Sequence, residues 1–148
     1  MKTSLTIFLM TLMLAGSAWA NPMRFGRTDS PARFRVDLPG SWARGKVEGC
    51  FEDTSGSRLQ AIMAENPERT VANTFPDWKK RFKQQGYEVR EITLGGEPAL
   101  MAKGTDNSLG IVLHKGYQVT LMLNVSNTEI RMDELLEQLG STFQWLSP

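Results

Sequence analysis

Residues 109–125, LGIVLHKGYQVTLMLNV, decide the fold. Lys115-Gly116 in the middle separates two strand-like runs, and a loop of that length sets the register of a hairpin. His114 then faces Tyr117, Val112 faces Val119 and Gly110 faces Leu121, with Leu123 on the same side of the sheet. Leu109, Ile111, Leu113 and Met122 fall on the other side. Apolar residues on both sides belong to strands that are covered above and below, in contrast to the one-sided pattern of a solvated sheet. The prediction is an α+β chain in three layers, helix on a mostly antiparallel sheet on helix.

Two segments supply the predicted covers. Upstream, Phe75, Trp78 and Phe82 recur at helical spacing and Val71 extends the stripe backwards. Thr74 with Asp77 resembles a capping box, Gly86 sits where a C-terminal glycine belongs, and Pro76 suits only a first turn, so the helix is predicted to begin near Thr74. Downstream, Ser126 with Glu129 forms a capping box, followed by an apolar stripe of Met132, Leu135, Leu136, Leu139 and Phe143. Gly140 is a candidate end for this helix. If it ends there, Phe143, Trp145 and Leu146 become a short extended tail against the sheet, and in either case they are core rather than site.

The other strands announce themselves by alternation and by the turns between them. Phe34, Val36 and Leu38 alternate with Arg35 and Asp37 until Pro39-Gly40 stops the run, and Trp42 follows. A weak strand at 44–51 and a stronger one at 58–64 flank residues 53–57, whose types suit a tight reversal. Strands at 87–94 and 99–103 meet at Gly95-Gly96, and a polar break at Asp106-Asn107-Ser108 leads into the central hairpin.

The first twenty residues read as an export signal. Lys2 supplies a positive start, residues 5–15 are almost wholly apolar, and Ala18-Trp19-Ala20 places small residues where a signal peptidase reads them. Cleavage is expected after Ala20, with an uncut N-terminal anchor as the alternative. The apolar run of about 11 residues is short of the roughly 20 needed to cross a bilayer, and no later stretch approaches that length. A lipoprotein needs a cysteine at the new N-terminus, where Asn21 stands instead. The expected location is therefore periplasmic or secreted. Residues 21–31 are polar and non-periodic, and 32–147 are read as a single domain.

Composition narrows the chemistry. Of 17 Lys and Arg, one is Lys2, so 16 remain after Ala20 against 16 Asp and Glu. A neutral domain has no charge footprint for nucleic acid or an anionic membrane. The chain has one cysteine, Cys50, and one histidine, His114. Cys50 is read as a buried small hydrophobe, or else as an exposed thiol able to pair with another chain. Cys50 with His114 is the one nucleophile and base pair that could be assembled. One histidine and one cysteine do not furnish a metal site, and no glycine-rich turn leads into a helix to cradle phosphate, so no metal and no cofactor are expected. The basic run Lys79, Lys80, Arg81, Lys83 reads first as a solvated helix face. No catalytic residue is assigned. Trp42, Arg44, His114 and Lys115 lie near predicted strand ends, where binding surfaces often sit, but the sequence does not rank them and the binding residues stay unknown.

Phe34-Arg35-Val36-Asp37-Leu38-Pro39-Gly40-Ser41-Trp42 resembles the F-x-(I/V)-x-(L/Y)-P-x-x-W opening of the PsbP-like domain family. Gly95-Gly96-Glu97-Pro98-Ala99 resembles its G-G-x-P-A turn, and Ser141-Thr142-Phe143 approximates its closing S-F. The resemblance spans about residues 31–146. It implies an α/β/α sandwich around an antiparallel sheet and a role in binding proteins or stabilising assemblies, with no catalytic motif to carry over; a fold alone does not assign a job. The expectation is an exported, non-enzymatic binding or accessory domain with a protein partner. A small-ligand carrier is the alternative, and an enzyme dependent on Cys50 is a further one.

Overall fold

A computed structural model describes residues 22–126 and 131–147. The expected signal peptide and Glu129 of the second expected capping box lie outside the described residues. In chain order the elements are β1 (Pro22–Phe25), β2 (Phe34–Asp37), β3 (Trp42–Arg44), β4 (Cys50–Asp53), β5 (Arg58–Glu65) and α1 (Val71–Gln84). They are followed by β6 (Glu88–Leu94), β7 (Glu97–Lys103), β8 (Asn107–His114), β9 (Tyr117–Asn124), α2 (Met132–Thr142) and β10 (Gln144–Trp145).

Seven strands form one antiparallel sheet in the order β3-β4-β5-β9-β8-β7-β6. The β8–β9 hairpin takes the register its loop demands, with His114 opposite Tyr117, Val112 opposite Val119 and Gly110 opposite Leu121. Lys115 at φ 46° and Gly116 at φ 81° are both left-handed, as a two-residue loop matching the strand twist requires.

The two faces of this sheet are covered differently. On one, Val112, Val119, Leu121 and Leu123 share a core with Leu135 and Leu139 of α2. That same core takes in Met23, Phe25, Phe34 and Val36 from a small antiparallel sheet, β1-β2-β10. Phe34 stacks on Phe25 and on Phe143, at ring separations of 4.9 and 4.6 Å, and so ties the small sheet to the end of α2. Thr142 reinforces the tie, because its hydroxyl accepts from the Asp37 amide at 3.0 Å. On the other face, Phe75 and Phe82 of α1 close over Leu100, Ala102 and Ile111.

That second cover is incomplete. Leu100, Ile111, Thr120 and Ile62 are successive partners in one row across β7, β8, β9 and β5. Leu100 and Ile111 are fully buried, Thr120 is half-buried and Ile62 is 48% exposed. The helix on this side thus shields β7 and β8 but leaves β9 and β5 partly open, where the sequence predicts a full layer. On the opposite side the predicted single helix shares its place with the small sheet.

Further differences are local. Residues 21–31, read as a polar leader, contain β1, whose Met23 and Phe25 are each 1% exposed. The weak strand predicted at 44–51 is two strands, β3 and β4, separated by a turn, with Trp42 opening the first. Helix α1 begins at Val71 rather than near Thr74. Its cap is Thr70, whose hydroxyl accepts from the Asn73 amide at 3.2 Å while the Asn73 side chain accepts from the Thr70 amide at 2.7 Å. This box outranks the Thr74/Asp77 one, and it leaves Pro76 beyond the first turn, where the helix forgoes one backbone bond. At the other end Gly86 (φ 86°) allows the Gly86 and Tyr87 amides to donate back to the Lys83 and Phe82 carbonyls, a Schellman closure sealed by Phe82 against Tyr87.

Ser126 does not cap α2. The helix starts at Met132 after Arg131, and the Ser126 amide donates to Ser57 Oγ at 3.0 Å instead. Gly140 does not end α2, which runs to Thr142. The tail after it is an edge strand of the small sheet, with Gln144 opposite Arg35 and Trp145 opposite Phe34.

Candidate surface cleft

The β1–β2 connection, residues 26–33, and the β3–β4 connection, residues 45–49, stand side by side above one end of the large sheet. Between them runs an open cleft of about 1060 Å³. Each wall is set by its own backbone bonds. In the first, the Ser30 amide donates to Arg27 O at 3.0 Å and the Ala32 amide to Ser30 Oγ at 3.2 Å. In the second, the Gly45 amide donates to Cys50 O at 2.8 Å and the Cys50 amide to Val47 O at 3.2 Å. Both walls are thereby shaped without a ligand, which lowers the ordering cost of binding one.

Five cations line the cleft, Arg24, Arg27, Arg33, Arg44 and Lys46, against two acids, Asp29 and Glu48. Arg27 lies 3.8 Å from Asp29, but both are strongly exposed and such a pair is worth little in water. Arg44 sits 5.9 Å over the Phe51 ring, which steers the guanidinium without neutralising it. Arg33 is half-buried, and its Nε is shielded from water with no hydrogen-bond partner among the described residues. Apolar surface is interleaved with this charge. Val47 is 57% exposed and Ile62 48%, and both line the cleft, whereas the other large exposed aliphatic among the described residues, Val71, lies on α1.

Of the four strand-end residues singled out in the sequence, only Arg44 belongs to this cleft. Trp42 is buried, and its indole N–H donates to Pro39 O at 3.1 Å, so it anchors the preceding turn. His114 stacks flat on Trp145 at 3.8 Å and holds the C-terminal tail to the sheet. Its Nδ1 lies 3.1 Å from Glu97 Oε2, close enough for an ion pair when the imidazole is protonated but without the alignment of a hydrogen bond. Lys115 occupies the exposed hairpin loop.

The pairing of Cys50 with His114 is not assembled. Strands β5 and β9 stand between β4 and β8, which puts about 14 Å of sheet between the two residues at ordinary strand spacing. Cys50 is 3% exposed, and burial pushes its thiol above the ordinary range, outweighing the downward pull of Arg58. A thiol held protonated is a poor nucleophile. The basic face of α1 is partly spent within the fold, since Lys79 pairs with Glu91 and Arg81 lies 5.3 Å over Trp78. Among the described residues, no three His, Cys, Asp or Glu side chains converge as metal ligands, and no helix is long and apolar enough to cross a membrane.

Arg24, Arg27 and Arg33 fall in or beside residues 21–31, whose polar, non-periodic sequence carries no strand signal long enough to place them. One signal was available. Met23 and Phe25 alternate with Pro22 and Arg24, a four-residue strand pattern too short to stand out without its partner β2.

These elements define an α+β protein with antiparallel sheets and two helices. Comparison with solved structures gives this arrangement a counterpart. The chain is similar to cyanobacterial PsbP (CyanoP) from Synechocystis sp. PCC 6803, known from a solution structure, with a TM-score of 0.56 and 18% identity over 86% of this chain and 94% of that one. The fold is PsbP-like. No protein-family model matches the chain, and no curated protein matches it.

Proposed function

We propose that this chain is an exported, non-enzymatic accessory domain that holds a segment of a protein partner in the cleft between the β1–β2 and β3–β4 connections. In this reading the PsbP-like fold is a three-layer α/β/α sandwich, with α1 as one outer layer and α2 with the small sheet as the other. One observation carries the proposal. Two of the three large aliphatic side chains exposed among the described residues, Val47 and Ile62, meet five cations in one preformed concavity. Exposed aliphatic surface rimmed by charge is the ordinary make-up of a protein interaction site, and isolated exposed aliphatics are not. The PsbP-like neighbour supports the fold on which this cleft is built, while the role rests on the cleft itself.

The test places a photo-crosslinking amino acid at Val47 in the protein expressed with its leader in its own cells. Val71, exposed on α1 and remote from the cleft, serves as the control position. A discrete adduct from Val47 and none from Val71 is the expected result, together with a mature N-terminus at Asn21. Adducts of equal yield from both positions, or no adduct from either, overturn the proposal.

A further inference from the structure

We infer that the segment held in the cleft is acidic, with carboxylates that meet Arg24, Arg33, Arg44 and Lys46 and an aliphatic side chain that packs on Val47. This rests on the cleft being a protein-docking site and adds the chemistry of what docks there. After Ala20 the chain has as many acids as bases, so an even spread would leave any surface near neutrality. The cleft instead holds five cations to two acids. Residues 24–46, which supply all five, carry six Lys and Arg against two acids already in sequence, and concave walls of low dielectric focus the field they make.

Arg33 supplies the most specific feature. Its backbone is pinned on both sides, the amide donating to Ser30 O at 3.4 Å and the carbonyl accepting from the Leu146 amide at 2.8 Å. The guanidinium therefore issues from a fixed point, with an Nε shielded from water and unpaired among the described residues. The shielded Nε is as far out of a ligand's reach as of water's, but Arg33 lines the cleft, and the outer edge of a planar guanidinium suits two-point binding of a carboxylate. An ammonium in the same place would leave the guanidinium donors unmatched and add a like charge, while a neutral amide would offer its carbonyl oxygen without a compensating charge. The exposed Val47 beside these cations distinguishes the occupant from a simple anion, because a free inorganic ion gains nothing from an aliphatic neighbour. It also argues against a flat anionic bilayer, whose headgroup plane does not reach into a concavity walled by two connections.

The experiment uses the purified mature protein and three short acetylated, amidated, fluorescent peptides that alternate leucine with glutamate, glutamine or lysine. Anisotropy at low and high salt should show the glutamate peptide binding about tenfold or more tighter than the glutamine one, an advantage that shrinks with added salt. Arg33→Gln should weaken the glutamate peptide about tenfold, and Arg24→Gln with Lys46→Gln should lower both affinity and its salt dependence. Lys79→Gln on α1 should change nothing. If Arg33→Gln does not fold, the exposed Arg24 and Lys46 pair decides the matter. Equal binding of the glutamate and glutamine peptides, or cleft variants that bind like the parent, overturns the inference. So does binding to phosphatidylglycerol vesicles as tight as to the peptide. A Val47 adduct that persists in cells while the glutamate peptide shows no advantage would remove the acidic assignment and leave the docking site standing.

Discussion

Replacing Gly49 by alanine separates backbone strain from steric conflict, provided that Gly86→Ala is measured beside it. Both glycines are left-handed, Gly49 at φ 72° and Gly86 at φ 86°. An alanine in that region costs about 1–2 kcal/mol, partly offset by the ~0.4–1 kcal/mol gained from a stiffer unfolded chain. A Cβ on Gly86 meets nothing within 4 Å, so Gly86→Ala should destabilise by about 0.5–1 kcal/mol. A Cβ on Gly49 lands 2.8 Å from the Ala61 carbonyl oxygen, which is backbone and must shift. That shift disturbs the bond from the Ala61 amide to Gly49 O, now 2.9 Å long. Losing much of it adds ~0.5–1.5 kcal/mol, so Gly49→Ala should cost about 1–2.5 kcal/mol, against a whole stability of order 5–15 kcal/mol. Urea unfolding followed by tryptophan fluorescence measures both, and the two variants should share the parental slope. Because Gly49 and Ala61 also line the cleft, Gly49→Ala should weaken cleft binding and Gly86→Ala should not. Equal losses of stability in the two variants would refute the steric part of this reasoning.

Thr70→Ala removes the hydroxyl that accepts from the Asn73 amide and should cost about 1 kcal/mol, read as a lowered urea midpoint, whereas Thr74→Ala removes a hydroxyl that donates to Asn73 Oδ1 and leaves both reciprocal bonds of the Thr70–Asn73 box in place. Cys50 should resist thiol reagents in the native protein and react fully once unfolded, so fast labelling at neutral pH would contradict its burial and raised pKa. The Asp133 carboxyl is held below the ordinary carboxylate range chiefly by its hydrogen bond with Lys103. A depressed carboxyl stabilises the folded state above its unfolded pKa, and that contribution is lost as pH falls through the lower folded value. The stability gap between the parent and Asp133→Asn should therefore be constant near neutrality and close in acid, as unfolding midpoints across that range will show.

Sequence by itself determined the pairings that local geometry dictates. A loop of two left-handed residues admits one strand register, so the face of every residue in β8 and β9 follows from Lys115-Gly116 alone. The core of α2 followed similarly from spacing, with Met132, Leu135 and Leu139 buried where the stripe puts them. Helix starts were less secure because capping boxes compete. Thr70 with Asn73 departs from the usual glutamate pattern yet prevails over Thr74 with Asp77, and Ser126 spends its amide on Ser57 rather than on α2.

Only the tertiary structure decided the second sheet and the cleft. Strand β1 has four residues, too few to declare a period, and it exists because Phe25 finds Phe34 and Phe51. Once β1 docks, Arg24, Arg27 and Arg33 arrive beside Arg44 and Lys46 of the next hairpin. Residues 24–46 are basic already in sequence, six Lys and Arg against Asp29 and Asp37, and folding gathers five of those cations into one concavity. Coulomb interaction depends on distance in space, and a linear sequence does not contain that distance.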